Sequence, residues 1–178
     1  GPQAADSPFT GVSGPPRPDS RRPSGRRRED HDAQAHLVAG AVAPHHVAVG
    51  LALERGQLVA LEQERDVPFE IRRVYYLFAT RQDVHRGQHA HRRLNQLVVA
   101  LHGSVTFLAD EGHGPVEVVL DDPTRGLLLT GMVWRDLYDF SKDCVLMVLA
   151  DQLYDPDDYI LDYDEFLREA NGVQWQEA

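Results

Sequence analysis

Cysteine is almost absent from this chain. Cys144 stands alone among 178 residues, so no intrachain disulfide closes a loop, which fits a reducing compartment. Lysine is equally scarce. Lys142 is the sole one and sits in the polar turn Ser141-Lys142-Asp143, so Schiff-base chemistry would rest on a single loop side chain. No run of eighteen or more apolar residues occurs, which excludes a transmembrane helix. The polar N-terminal stretch also lacks the apolar segment of a secretory signal. The expectation is a cytoplasmic protein without membrane association. Basic charge is short where a nucleic-acid partner would need it. Up to residue 45 six arginines face five acids; beyond it, twelve basic residues face 23 acidic ones, and the whole chain carries −10. So acidic a body argues against phosphate-backbone binding, while leaving room for an anionic ligand held by a local arginine cluster.

What is present divides in two. Residues 1–45 are rich in Pro, Gly, Ser and Arg without a periodic apolar pattern, and such a composition buries too little surface to offset chain entropy. A disordered tail is expected there. Residues 46–178 suffice for one domain with a core. The pattern from residue 47 is of short strands. Leu51 to Leu61 reads as two strands around an Arg-Gly turn, and residues 72–78 as a strand placing Arg73, Tyr75 and Leu77 on one face. Residues 97–101 and 105–109 flank His102-Gly103-Ser104, a hairpin signal. Further strands are expected over 116–120, 126–130, 132–137 and 144–150. Strands at this spacing imply an all-β sandwich or barrel. Near the end, Asp155-Pro156-Asp157-Asp158 reads as a helix N-terminus, with Tyr159, Tyr163, Phe166 and Leu167 as an apolar stripe. One short C-terminal helix is expected.

The stretch with the most chemistry is Arg86-Gly87-Gln88-His89-Ala90-His91. In a strand, His89 and His91 project to one face. Two adjacent imidazoles suit metal binding or proton transfer near neutral pH. From Gly87 the pattern runs Gly-x-His-x-His, four residues, Gln96, six residues, Gly103. This resembles the first signature of the cupins, which are jelly-roll barrels. Metal-binding cupins usually carry Glu where this chain has Gln96, and a later strand supplies a third His. Here that later stretch, residues 126–135, ends in Trp134 and Arg135 and has no His. Two imidazoles and an amide fall short of the usual three ligands, so no metal is expected.

Longer segments carry a closer resemblance. Residues 55–62 (Arg-Gly-Gln-Leu-Val-Ala-Leu-Glu), 68–76 (Pro-Phe-Glu-Ile-Arg-Arg-Val-Tyr-Tyr), 86–91 and 145–150 resemble the nucleotide-sugar 3,4-ketoisomerases, and residues 157–166 resemble their C-terminal helix. The resemblance spans about residues 46 to 170 and leaves the first 45 outside it. It implies a cupin barrel without cofactor or metal, related in fold to the dTDP-sugar 3,5-epimerases. It also implies conversion of dTDP-4-keto-6-deoxy-D-glucose to a dTDP-3-keto-6-deoxyhexose through an enediol. The product would then pass to an aminotransferase in deoxy-amino-sugar biosynthesis. A homodimer exchanging N-terminal strands is implied as well. A metal-free 3,5-epimerase and a non-catalytic sugar-nucleotide-binding cupin are the alternatives.

The reaction needs a base for the C3 proton, delivery to C4, and exchange between two oxygens, tasks that suit His. The resemblance implies His89 as the carbon base and His91 as the relay; spacing alone does not order them. Tyr75 reaches the sugar, assists proton transfer or simply lines the barrel. Arg86 is the candidate for the diphosphate, since a guanidinium pairs with phosphate oxygens bidentately. Arg55 and Arg135 are further candidates for substrate or phosphate contacts, or structural ion-pair partners. Gln96 is a candidate to hydrogen-bond a catalytic imidazole without adding charge.

Overall fold

A computed structural model of the protein describes residues 42–46, 49–50 and 56–172. The strands are β1 (Val42–His46), β2 (Val49–Gly50), β3 (Leu58–Val59), β4 (Arg73–Leu77), β5 (Arg86–His91), β6 (Gln96–His102), β7 (Val105–Asp110), β8 (Pro115–Leu120), β9 (Arg125–Leu129), β10 (Trp134–Tyr138), β11 (Val145–Ala150) and β12 (Tyr159–Ile160). One helix follows, α1 (Tyr163–Ala170). Two five-stranded sheets face each other, in the orders β1-β9-β6-β11-β4 and β12-β5-β10-β7-β8, with every named pair antiparallel. The expected all-β jelly-roll architecture with a short C-terminal helix is the one observed.

The core fills the space between the sheets. Val98, Ala100, Leu127, Leu146 and Val148 project inward from one sheet and Val105, Phe107 and Leu137 from the other. Burying a side chain of Phe or Leu size contributes about 1.5–3 kcal/mol. β6 reads as an unbroken apolar run because both of its faces are covered. Gln96, Val98 and Ala100 face the interior. Leu97 and Val99 face outward, beneath a cover that includes Val59, Leu61, Val67, Phe69 and Ile71.

Three local expectations need correction. β1 begins at Val42, inside the stretch assigned to the tail; the rest of that tail, residues 1–41, lies outside the described residues. Val42 is buried and pairs with Leu129, and Pro44 is tolerated because β1 is a sheet edge. An edge strand this short has too few residues to display periodicity. The expected hairpin at residues 51–61 is represented by the β2–β3 pair, and its residues 51–55 lie outside the described residues.

β6 and β7 do not form a hairpin. The turn at His102-Gly103-Ser104 carries the chain from one sheet to the other, since β6 pairs with β9 and β11 whereas β7 pairs with β8 and β10. Gly103 has φ +67, and a Cβ there would lie 2.2 Å from Ser141 Oγ. Ser104 and Ser141 bond reciprocally, tying this crossing to the β10–β11 crossing beside it.

The helix starts later than expected. Asp155 does cap Asp157 N, but the turn it opens is a single 3-10 turn over Pro156–Asp158. Tyr159 and Ile160 then pair with His91 and Ala90. The true cap is Asp162, accepting from Glu165 N at 2.7 Å. α1 buries Phe166 beside Trp134 and Ile160, and Arg92 grips Glu165 and Glu169 at 2.8 and 2.7 Å. The helix thereby docks the 155–160 segment onto the end of β5, where the two histidines are.

Candidate active site

A cavity of about 420 Å³ opens between the sheets. β4 lines it with Arg73, Tyr75 and Leu77, the face read from its alternation. β6 adds Gln96, β5 adds Arg86, Gly87 and His89, and β10 adds Arg135. Tyr154 and Tyr159 come from the C-terminal segment. The residues singled out in the sequence therefore converge, with two exceptions. Arg55 lies outside the described residues. His91 stands one layer deeper, off the cavity wall and 3% exposed. Its ring meets that of His89 edge-on, with centroids 4.9 Å apart. Tyr159 packs against both, at 4.8 Å from His89 and 4.2 Å from His91.

Hydrogen bonds fix the form of each imidazole. His89 Nδ1 lies 2.9 Å from the Gly87 carbonyl, which only accepts, so Nδ1 carries the proton and Nε2 is the basic nitrogen. His91 Nδ1 lies 3.2 Å from Asp158 Oδ2, and the same reasoning makes its Nε2 basic. Burial, followed by the charge of Arg135, pushes His89 down to about 4 and His91 down to about 2. Both are therefore neutral at physiological pH, with Nε2 unprotonated.

Arg135 sets the electrostatics. Its guanidinium is buried and donates to Val133 O and Gln96 Oε1, and no carboxylate pairs with it among the described residues. Burial lowers it only to about 10, so it stays charged. Because Gln96 Oε1 faces Arg135, its Nε2 donates to the Tyr75 hydroxyl at 2.7 Å, leaving the phenolic hydrogen free to donate into the cavity. The expectation that Gln96 bonds an imidazole is corrected by this arrangement. Its neutral amide spans the two sheets from Tyr75 to Arg135 and adds no charge against the guanidinium, which feels the Asp158 carboxylate only from a distance. Burial raises the Tyr75 pKa, so the phenol remains protonated.

Arg73 and Arg86 complete a cationic wall. Arg73 lies 5.3 Å from the Tyr75 ring and 5.9 Å from that of Tyr154, and its buried Nε has no hydrogen-bond partner. Among the described residues no carboxylate side chain lines the cavity, although the chain carries −10 overall. Such a site takes an anionic ligand. Among the described residues, no three His, Cys, Asp or Glu side chains gather as a metal-ligand set.

Sequence reasoning missed three contributors. Asp158 was read as a first-turn helix acid, Tyr159 as part of a helical stripe, and Tyr154 not at all. Arg73 was placed on the correct face but given no role of its own, though its alternation with Tyr75 was the available signal.

A jelly-roll barrel whose interior brings neutral imidazoles together with guanidinium groups that, among the described residues, no carboxylate pairs with has the equipment of a proton-transferring enzyme for an anionic substrate. Comparison with known proteins narrows that class. The family model described as "FdtA: WxcM-like, C-terminal" matches residues 47–171. The TDP-4-oxo-6-deoxy-alpha-D-glucose-3,4-oxoisomerase of Aneurinibacillus thermoaerophilus is 48% identical over 112 residues, covering 63% of this chain and 81% of the relative. The sugar 3,4-ketoisomerase QdtA of Thermoanaerobacterium thermosaccharolyticum, solved with TDP, superposes with a TM-score of 0.72 at 38% identity, covering 74% and 96% of the two chains. The TDP-fucose-3,4-ketoisomerase WlaRA of Campylobacter jejuni gives 0.71 at 32% identity, covering 75% and 98%. The chain belongs to the sugar 3,4-ketoisomerase family and is an isomerase.

Proposed function

We propose that this protein converts dTDP-4-keto-6-deoxy-D-glucose to a dTDP-3-keto-6-deoxyhexose, with His89 as the base at carbon. The observation that carries the reading is the His89 imidazole, held as the Nδ1–H form on the cavity wall in the field of the buried Arg135, with which no carboxylate pairs directly among the described residues. Its Nε2 removes the C3 proton, which the C4 ketone acidifies. The electron pair moves into a C3–C4 double bond and charge collects on the C4 oxygen, where Arg135 and the Tyr75 hydroxyl stabilise it. His91, backed by Asp158, relays the proton from the C3 oxygen to the C4 oxygen. Return of electrons from the C3 oxygen makes the new ketone, and C4 takes a proton from the His89 imidazolium, which returns to its neutral form. The steps balance without an external oxidant or reductant. Arg86 and Arg73 hold the diphosphate, with Arg55 and Gln96 as further contributors to substrate binding.

The chemistry requires no metal. A cation beside His89 would face Arg135, and Gln96 is already committed to Tyr75 and Arg135. The 3-keto product suits a transamination that yields a 3-amino sugar. We place the enzyme in the cytoplasm and assign it a homodimer with exchanged N-terminal strands. Supporting that assembly, β4 is a sheet edge whose outer face exposes Val74, Tyr76 and Phe78.

The deciding experiment is incubation with dTDP-4-keto-6-deoxyglucose, followed by NMR. Movement of the carbonyl from C4 to C3 is expected. A product that keeps the C4 ketone with inverted neighbouring carbons would instead identify an epimerase.

A further inference from the structure

Behind the cavity wall, on the outer face of the sheet that carries His89, lies a group of polar side chains that the reaction does not use. β10 turns Arg135 and Leu137 toward the cavity, so Asp136 and Tyr138 project to the other side. There Asp136 Oδ2 lies 2.8 Å from His85 Nδ1. The His85 ring stacks on Tyr138 with centroids 5.1 Å apart and planes 27° apart, and the Tyr138 hydroxyl donates to Glu117. The Asp136 side chain is 13% exposed; besides His85, the Gln88 side chain and the Leu137 backbone N–H favour its charged form, while its Oδ1 lies buried short of a well-formed hydrogen bond. A carboxylate so poorly solvated costs stability, and its placement calls for a reason.

That reason lies in the backbone beside it. The β5–β10 register shifts between Arg135 and Asp136, so that Arg135 sits opposite His89 while Asp136 sits opposite Gly87. Gln88 is the extra residue of this bulge. Gly87 and Gln88 have φ of +94 and +54, two consecutive residues in the left-handed region, where a glutamine is disfavoured. A Cβ on Gly87 would come within 2.9 Å of the Arg135 carbonyl oxygen. This bulge aims the Gly87 carbonyl at His89 Nδ1 and puts Arg86 on the cavity wall. The His85–Asp136 bond fastens the chain immediately ahead of it.

We propose that His85 and Asp136 form a clamp that holds the Arg86–Gly87–Gln88 bulge in this strained shape and thereby sets the tautomer of His89. Both are positioning residues; neither touches the cavity. The effect on turnover rests on His89 being the carbon base, whereas the effect on its tautomer does not.

The test is long-range 1H–15N correlation on protein labelled in histidine, with the His89 signals assigned by their loss in His89→Asn, alongside steady-state kinetics. In the wild type, His89 carries its proton on Nδ1. In Asp136→Ala, and in His85→Phe, which keeps the stack on Tyr138, His89 should gain an Nε2–H population. Turnover should fall at least roughly tenfold. Asp136→Asn should restore both, because its amide oxygen still accepts from His85. If Asp136→Ala fails to fold, His85→Phe decides, since the His85 side chain is 38% exposed and its loss opens no cavity. An unchanged tautomer in His85→Phe overturns the clamp, whatever happens to turnover. A shifted tautomer with unimpaired turnover supports the clamp and removes His89 as the base.

Discussion

Asp158 Oδ2 stands 3.2 Å behind His91 Nδ1, with both side chains only 4% exposed. The other carboxylate oxygen accepts from the backbone N and Nε of Arg93, so the anion is held on both sides. A buried imidazole oriented by a buried carboxylate has one basic nitrogen and one orientation. Asp158→Asn keeps the size but lets the amide donate to Nδ1, favouring the wrong tautomer. Turnover should fall about 10²-fold with little change in KM. Wild-type turnover in this variant would show that His91 does not depend on Asp158 for the reaction.

The depressed histidines make stability depend on pH. His89 is held at about 4, below its ordinary 6.5. Between those values the unfolded chain binds more protons than the native one, so stability rises with pH across that window. The contribution is complete above about 6.5 and is lost as pH falls toward 4, with His91 acting in the same direction. Melting curves of the wild type and His89→Asn should therefore converge as the pH drops from about 7 to about 5. Parallel curves would place the His89 pKa near its ordinary value.

The sequence revealed the site more readily where strand alternation carried it than where distant segments met. The alternation of β4 alone groups Arg73, Tyr75 and Leu77 on one face, which the structure turns to the cavity, and the period of two puts His89 and His91 on a common face. Asp158 was not legible in the same way. Its partner His91 is 67 residues away, and the local signal of Asp155-Pro156 described a helix start that stops after one 3-10 turn. The Gly103 turn misled for a related reason. A glycine turn within a sheet and one between sheets look alike locally, and only the pairing of β6 with β9 and β11 distinguishes them. The Gln96 bridge depended on where Tyr75 and Arg135 come together across the barrel.

Turnover should survive dialysis against a strong chelator. The two imidazoles are committed through Nδ1 to Gly87 and Asp158, the Gln96 amide is committed to Tyr75 and Arg135, and the site carries uncompensated positive charge. Activity that disappears on chelation and returns with added Zn²⁺ or Mn²⁺ would establish a metal requirement.

The exposed edge at β4 bears on assembly. Val74, Tyr76 and Phe78 are 54%, 64% and 64% exposed, on the opposite face from Arg73, Tyr75 and Leu77. Tyr76→Arg leaves the cavity face intact while placing charge on the patch. Sedimentation velocity should show a wild-type dimer and a variant shifted toward monomer. A variant that stays dimeric would move the interface elsewhere.

The two histidines are separable by isotope exchange. Replacing His89 with Asn removes the base while keeping its size, so enzyme, substrate and D₂O should give neither deuterium at C3 nor product. Replacing His91 with Asn removes the relay between oxygens but leaves the carbon base. The enediolate still forms and collapses back, so exchange at C3 should persist while isomerisation slows by about 10²- to 10⁴-fold. The wild type must itself exchange, which requires that the base trade its proton with solvent before returning it to carbon. The partly exposed position of His89 on the cavity wall favours that trade. Exchange that survives in the His89 variant and vanishes in the His91 variant would reverse the two roles. Exchange that survives in both would remove each imidazole as the carbon base and direct attention to Tyr75. Its hydroxyl, already accepting from Gln96, is another proton-transfer group on the same wall.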